Sequence, residues 1–354
     1  MKLLFVAARR FGRFAILLFV APVVGLFAPW LSLLDANPIL FAVSAVLMLP
    51  LSMIAVAMMV GTLFAGGQGS SATGISKAEA PGLWELWEDI AGAKRAKRTV
   101  IMISNELNAG VAIRRRLFGL RRARIYLFIG LPLLAVTDRE ALAAILAHED
   151  AHLLNRDVNG CLNLAEFEAT FAFVFAYAPP ESTVSGSLLN MLLGWLAKPL
   201  AAENIRLSRE AELKADRHAA QSGEAKESAR ALLLLGAADD YFDEAVFQPL
   251  KRELMGAAKP PKPPLQRLLS VASQLSDTEL LQAHARKASA KPGEIDDDHP
   301  SCAERLAALG YDEIIHLDPV SEPALSKLVD QSVVQQMVVA FDDDWTMRVA
   351  NSLQ

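Results

Sequence analysis

The chain has 354 residues, which is enough for about two domains. Its composition (53% apolar residues, 21% charged residues and a mean hydropathy of +0.27) is too apolar for a typical soluble protein and too charged for a purely membrane-embedded one. The net charge of −5 gives no reason to expect nucleic-acid binding, and two cysteines, Cys161 and Cys302, exclude a disulfide framework. We therefore expect a membrane anchor joined to a globular part.

Two uncharged apolar runs near the N-terminus, residues 14–34 and 39–65, are long enough to cross a bilayer. They predict a transmembrane hairpin; a cleaved signal peptide for the first run and two buried core helices are the alternatives. Lysines and arginines flank the hairpin but are absent from the link between its runs. The positive-inside rule then places both termini and the following domain in the cytoplasm.

Strand-like runs follow at residues 99–104 and 124–129, and helical patterns dominate the rest of the chain. The second run stops just before a predicted helix, where an extended peptide could add to it by strand addition. Basic residues crowd 94–98 and 114–122. They indicate solvated turns or, alternatively, contacts with lipid headgroups or an acidic substrate.

The segment 148–152 reads H-E-D-A-H and follows a helix-forming stretch that Asp138 can cap. On a helix, His148 and His152 lie on one face and can bind one metal ion. Glu149 beside them can take a proton from water held at that ion. The alternative is two ordinary histidines on an amphipathic helix.

A catalytic zinc site needs a third protein ligand and keeps one position for water. In the helical segment 203–220, Glu212 is a candidate because Asp216, four residues later, could accept the ring N–H of a ligating histidine. Spacing alone leaves Glu203, Glu210 and His218 open as alternatives, as well as a plain charged helix face.

Three motifs occur in order: H-E-D-A-H at 148–152, S-R-E-A-E-L-K-A-D at 208–216 and H-P-S-C-A-E-R at 299–305. With them the chain resembles the membrane zinc metallopeptidases of the HtpX and CAAX prenyl protease type. The resemblance implies a mainly α fold with a small β-sheet, a zincin-like α+β domain. It also implies one zinc ion per chain, held by His148, His152 and Glu212, with Glu149 as catalytic base and Asp216 orienting a histidine.

Six further residues are expected to support the metal site or to contact the substrate. Transition-state or structural support is expected from His299, Arg305, Arg209 and Asp157, and contact with the substrate strand from Asn108 and Tyr126. Arg209 is expected to pair with Asp216 or Asp157.

The expected domains are an anchor (1–65), a linker (66–80), a peptidase domain (81–320) and a helical tail (321–354). The resemblance implies a bacterial inner-membrane protein with a cytoplasmic catalytic domain. Its partners would be the bilayer and protein or peptide substrates, among them misfolded membrane proteins. The alternatives are a catalytically silent, zinc-stabilised scaffold or regulator and a prenyl-protein processing protease.

Overall fold

The computed structural model describes residues 2–64, 74–116, 121–155, 163–164, 166–167, 169–170, 172, 175–176, 179–221, 224–293, 297, 299–311 and 315–353. The chain divides into two compact units, Met1–Ser70 with Arg156–Leu207 and Ser71–Asn155 with Ser208–Gln354. The domain division expected from the sequence stays a prediction.

The first unit is helical in its described part. It comprises α1 (Lys2–Phe11), a 3-10 turn (Gly12–Ile16), α2 (Leu17–Ala36), α3 (Pro38–Phe64) and the first part of α8 (Val184–Gln221). Within the described residues, Pro38–Thr62 is long and apolar enough to cross a membrane, with a mean hydropathy of 2.5. The preceding pair Phe5–Ile16 and Val20–Ala36 is bent by 46° and makes a second candidate if it forms one broken span.

The bend lies at the 3-10 turn, so the apolar run 14–34 does not begin as one continuous helix. Gly12 has a φ of +59°, which residues with a side chain rarely adopt. Next to it, Arg13 Nε lies 3.4 Å from Glu166 Oε2, and both side chains are buried. Arg13 also donates to the carbonyl of Thr62. A buried ion pair therefore ties the turn to a segment far along the chain.

The second unit carries the sheet and most of the helices. Its elements are α4 (Pro81–Ala91), α5 (Ala93–Ala96), β1 (Thr99–Ser104), β2 (Ala109–Arg116), β3 (Arg121–Gly130), α6 (Leu131–Val136), α7 (Arg139–Asn155), the end of α8, α9 (Ala225–Phe242), α10 (Gln248–Leu254), α11 (Pro264–Ala272), α12 (Thr278–Ala290), α13 (Cys302–Ala308), α14 (Ala324–Leu328) and α15 (Gln331–Ser352). The predicted fold class, mainly α with a small β-sheet, is confirmed.

The three strands have the order β1-β3-β2, with β1 parallel and β2 antiparallel to β3. Tyr126 on β3 pairs with Val100 on one side and with Ala112 on the other. The expectation that the strand at 124–129 receives a substrate strand is therefore wrong, because a strand can be added only at a sheet edge. In the described part of the chain, β2 is an edge strand.

An apolar core holds α7 against this sheet. Trp87 on α4 is fully buried, and its indole N–H donates to the Thr99 hydroxyl at 3.0 Å. Leu127 of β3 and Leu142 and Leu146 of α7 belong to the same core. Burying each leucine contributes about 1.5–3 kcal/mol, so one face of α7 is fixed and the position of its histidines is set.

A second core joins α9 and α12 to α13. It contains Leu233 and Leu234 from α9, Leu281 from α12 and Leu306 from α13. Leu306 follows Arg305 directly, so this packing fixes the place of the third sequence motif.

Candidate active site and metal centre

Helix α7 begins with a side-chain cap. Asp138 Oδ1 accepts a hydrogen bond from the backbone N–H of Ala141 at 2.9 Å, as expected from the sequence. The guanidinium of Arg230 on α9 pairs with the same carboxylate. Burial alone would raise the pKa of Asp138, but its hydrogen bonds to Arg230 and Ala141 hold it below the usual value. The start of the histidine-bearing helix is therefore held by a charged cap.

Three side chains from α7 and α8 converge on one point. His148 Nε2 lies 3.1 Å from His152 Nε2 and 3.2 Å from Glu212 Oε2. His152 Nε2 lies 3.1 Å from Glu212 Oε1. Each of the three side chains is 12% exposed, so the cluster is reached by solvent but lies mostly inside the protein.

The donor set fits a zinc ion. Zinc binds imidazole nitrogen and carboxylate oxygen at about 2.0–2.2 Å, and tetrahedral ligands at that radius lie about 3.3–3.6 Å from one another. The three donor–donor distances of 3.1–3.2 Å are close to this edge length. Donor atoms of His148, Glu149 and His152 also lie within 4.8 Å of one another. Glu149 is therefore beside the point where the three donors meet.

The charges around this point are strongly coupled. Burial works against the charged form of His148, but its hydrogen bonds to Asp216 and Glu212 outweigh it and raise its pKa to about 9. Burial likewise opposes charge on Glu212, yet hydrogen bonds from His148 and His152 hold the pKa of Glu212 far below its usual value. Burial raises the pKa of Glu149, which gives that carboxylate a stronger affinity for a proton.

Asp216 and Arg305 contact opposite ring nitrogens of His148, Asp216 at Nδ1 and Arg305 Nη2 3.3 Å from Nε2. Asp216 Oδ1 lies 3.3 Å from His148 Nδ1, and the carboxylate is 2% exposed. Arg305 donates to both of its oxygens, Nε to Oδ2 at 2.8 Å and Nη2 to Oδ1 at 2.9 Å. Arg305 Nη1 also lies 3.4 Å from Glu212 Oε2. The second and third sequence motifs therefore meet at His148 of the first motif.

The remaining support residues occupy different positions. His299 is 61% exposed, with Nδ1 3.9 Å from Glu212 Oε1. Arg209 donates to Glu304 at 2.8 and 3.0 Å and to the His299 carbonyl at 3.4 Å. Asp216, one of the two partners expected for Arg209, pairs with Arg305 instead. Asp157, the other expected partner, lies outside the described residues.

The two residues expected on the substrate strand are separated by the sheet order. Tyr126 lies on the central strand, whereas Asn108 directly precedes the edge strand β2 and its carbonyl accepts from Gly130 N–H at 2.9 Å. In an antiparallel pair, bonded and non-bonded residues alternate. With the register Ala109↔Ile129, the backbone groups of Ala109, Val111 and Ile113 face away from β3.

Sequence reasoning did not find the partner of Asp150. Its carboxylate is 6% exposed and accepts from Arg95 Nη2 on α5 at 2.8 Å. Burial raises the pKa of Asp150, because it outweighs the positive charge and the hydrogen bond of Arg95, which lower that pKa. Asp150 is an acidic residue within the predicted metal-binding segment, and nothing else in the sequence indicated its role. Its partner Arg95 lies 55 positions away, so no local pattern identified the pair.

The chain is similar to the chain in the crystal structure of S. mikatae Ste24p, with 17% sequence identity and a TM-score of 0.35. The match covers 84% of this chain and 64% of that chain, so this chain spans less than two thirds of the length of its relative.

Residues 88–313 match the family model described as Peptidase family M48. The matched residues contain all three motifs and both histidines of α7, and they make up well over half of the 354 residues. The family resemblance stated from the motifs is thereby confirmed: the chain belongs to peptidase family M48.

Proposed function

We propose that this protein is a membrane-anchored, zinc-dependent endopeptidase. The observation that carries the proposal is the convergence of His148, His152 and Glu212 within 3.1–3.2 Å of one another, with Glu149 at their side. Membership of a peptidase family supports hydrolysis of peptide bonds. We propose one zinc ion per chain, held at this cluster.

The bound zinc would supply a Lewis acid that polarises the scissile carbonyl and acidifies a water molecule. Glu149 takes a proton from the attacking water and later gives it to the leaving amine. Its burial suits this task, since the raised pKa brings the carboxylate closer to the operating pH. Asp216 holds the Nδ1 side of His148, which orients the ring and keeps its Nε2 directed at Glu212.

The two residues of the third motif have separate roles in this proposal. Arg305 is already engaged by both oxygens of Asp216, so we assign it to positioning that carboxylate. His299 is exposed and lies on the Glu212 side of the cluster, where an N–H could donate to the oxyanion that forms on the substrate.

The substrate is proposed to bind as an added strand on the outer edge of β2. The outward backbone groups of Ala109, Val111 and Ile113 offer alternating donors and acceptors for this purpose. Helix α7 lies beside this strand, which supports delivery of the scissile bond to Glu149.

Membrane anchoring is supported by the surface of α3. Ile39, Val43, Val46 and Met53 are each at least 67% exposed on a helix that carries no charged residue. An apolar surface of this extent is unfavourable in water and favourable in lipid. Membrane or misfolded proteins are accordingly the substrates we propose, with the anchor in a bacterial inner membrane and the catalytic unit in the cytoplasm.

The proposal is tested by casein cleavage with the purified full-length protein, comparing Glu149→Gln with Glu140→Gln. Both changes remove one carboxylate from α7, but Glu140 is exposed in the first turn. We expect Glu149→Gln to lose about 100- to 10,000-fold in rate with zinc retained, and Glu140→Gln to match the wild type. An active Glu149→Gln enzyme contradicts the assignment. Zinc bound by a wild type that cleaves no substrate favours the silent scaffold.

A further inference from the structure

The face of α8 that carries Glu212 and Asp216 also carries Arg209. The three residues follow one another at spacings of three and four, which places them in one row along the helix. Glu212 and Asp216 both contact the ring of His148 in the first motif. Arg209, one turn before Glu212, contacts the third motif, and its guanidinium has no step in the proposed hydrolysis.

Glu304 is the main partner of Arg209. Arg209 Nη2 lies 2.8 Å from one carboxylate oxygen of Glu304 and 3.0 Å from the other, and Arg209 Nη1 donates to the carbonyl of His299 at 3.4 Å. The two paired side chains are 25% and 47% exposed, so the pair contributes little to stability. Its directional hydrogen bonds act on geometry instead, because one guanidinium holds two residues that are five positions apart.

The carboxylate of Glu304 also holds the turn that follows His299. Glu304 Oε2 accepts from the backbone N–H of Ser301 at 2.8 Å and from its hydroxyl at 3.0 Å. Ser301 Oγ accepts in turn from the N–H of Glu304 at 3.2 Å, which completes a capping box at the start of α13. Pro300 lies between His299 and Ser301 and has a fixed φ. The backbone from His299 to Ser301 is therefore tied to Glu304.

His299 depends on this backbone for its position. Its side chain is 61% exposed, so packing restrains the ring little, yet Nδ1 lies 3.9 Å from Glu212 Oε1. The backbone N–H of His299 donates to Asp297 Oδ1 at 2.9 Å, and its carbonyl accepts from Arg209. The placement of the ring near the metal cluster is consequently set through main-chain contacts.

Arg305 holds α13 to α8 at a second point, through its two hydrogen bonds to Asp216. The next residue, Leu306, is buried in the second apolar core. Loss of the pair between Arg209 and Glu304 would leave both of these attachments in place. The pair between Arg209 and Glu304 thus acts on the segment that bears His299, whereas α13 itself stays docked without it.

We propose that Arg209 and Glu304 are positioning residues that hold His299 beside the metal cluster. The inference rests on the proposed function, in which an N–H of His299 donates to the oxyanion. Arg209 and Glu304 contact no reacting atom in this scheme and act only through His299. A misplacement of about 1 Å in such a group reduces the rate by about 100-fold.

A measurement without metal or substrate tests whether the pair fixes position 299. A nitroxide label is attached at His299→Cys in the metal-free, full-length protein in detergent, with Cys161 and Cys302 replaced by serine. We expect the electron paramagnetic resonance lines to narrow, which reports faster motion, when Arg209→Gln or Glu304→Gln is added. Glutamine at position 304 can keep the capping box, so narrowing in that variant reports loss of the ion pair.

Arg206→Gln is the matched control for this measurement. Arg206 lies one turn earlier on α8 and also pairs with a glutamate, Glu203, at 2.7 Å. That pair lies within α8 and does not reach the third motif. We therefore expect the lines of the label at position 299 to stay as broad in Arg206→Gln as in the parent protein.

Enzyme kinetics test whether Arg209 acts through His299. Arg209→Gln should keep the zinc content of the wild type, lower kcat for peptide substrates by about 10- to 100-fold and leave KM nearly unchanged. Arg209→Lys, which keeps the charge but not the planar fork, should recover part of the loss. In a His299→Ala background Arg209→Gln should cause no further loss, because the residue that it positions is absent.

Several results overturn the inference while leaving the proposed hydrolysis intact. They are label spectra that neither Arg209→Gln nor Glu304→Gln changes, an Arg209→Gln enzyme with the kcat of the wild type, loss of zinc in that variant, and equal losses of kcat with and without His299. By contrast, a wild type that cleaves no substrate, or a His299→Ala enzyme as fast as the wild type, contradicts the proposed function and removes the inference with it.

Discussion

Asp216 lies 3.3 Å from the Nδ1 of His148, four residues after Glu212 on the same helix. One turn of α8 thus supplies two carboxylates to the same ring: Glu212 faces Nε2 of His148, and Asp216 faces its Nδ1. Arg305 holds that carboxylate with two hydrogen bonds. Hydrogen bonds and ion pairs consequently join the three sequence motifs into one network.

The first prediction concerns Asp216→Asn, which keeps the shape of the side chain and removes its charge. We expect zinc affinity to fall about 10- to 100-fold, because the histidine loses the partner that fixes its tautomer and Arg305 loses its counter-charge. Competition with a calibrated zinc chelator measures the change. Asp344→Asn, on the exposed face of α15, is the control. An unchanged zinc affinity in Asp216→Asn would contradict the role given to this carboxylate.

The second prediction concerns the guanidinium of Arg305. Arg305→Lys keeps the positive charge but cannot form the two parallel bonds to Asp216. We expect a loss of about 1–3 kcal/mol in the free energy of unfolding, measured by denaturant titration in detergent. Arg348→Lys, whose side chain is 66% exposed, should change stability little. If the Arg305 variant and the wild type were equally stable, the two parallel hydrogen bonds from Arg305 to Asp216 would not contribute to stability.

The third prediction is the pH dependence of the α7 cap. The folded-state pKa of Asp138 lies below its usual value of 3.8, so its charged form stabilises the folded protein. This contribution is present at pH values above 3.8 and is lost as the pH falls through the lower, folded-state pKa. Asp138→Asn keeps an oxygen that can cap the helix but removes the charge that pairs with Arg230. The change should therefore cost about 1–2 kcal/mol between pH 5 and 7 and progressively less below pH 3.8. A stability difference from the wild type that grows as the pH falls would contradict this sign; Glu85→Gln, exposed on α4, is the control.

The fourth prediction tests the edge of β2. Val111→Pro removes a backbone N–H that faces away from β3, and proline is tolerated at such positions of edge strands. We expect kcat/KM for peptide substrates to fall while the thermal unfolding temperature stays near that of the wild type. Ala112→Pro removes an N–H directed at β3 and should destabilise the protein instead. Full activity of a folded Val111→Pro enzyme would exclude strand addition at this edge.

Local spacing explains why part of the site could be predicted from the sequence. His148, Glu149 and His152 lie on one helix, and Glu212 and Asp216 on another, so the helical period alone places each group. The fold class was implied by the family resemblance, and the helical patterns and strand-like runs of the sequence agree with it. Which glutamate faces the histidines could not be derived from spacing and came from the family resemblance.

The rest depends on contacts between distant parts of the chain. The order β1-β3-β2 places the strand at 124–129 in the centre of the sheet, although its sequence is equally suited to an edge. The pairs Arg95–Asp150 and Arg209–Glu304 join residues 55 and 95 positions apart, and no periodic pattern connects them. Long-range pairing of this kind is set by packing of the whole unit.

We propose that His148, His152 and Glu212 hold one zinc ion and that Glu149 acts as base on a water molecule beside it. Zinc content and casein cleavage should be measured together on full-length wild type, Glu212→Gln, Glu149→Gln and the neighbouring control Glu210→Gln. We expect one zinc per chain and cleavage in the wild type and in Glu210→Gln, zinc without cleavage in Glu149→Gln, and loss of both in Glu212→Gln. Full zinc content and activity in Glu212→Gln, or a wild type that binds no zinc, would rule out this metal site.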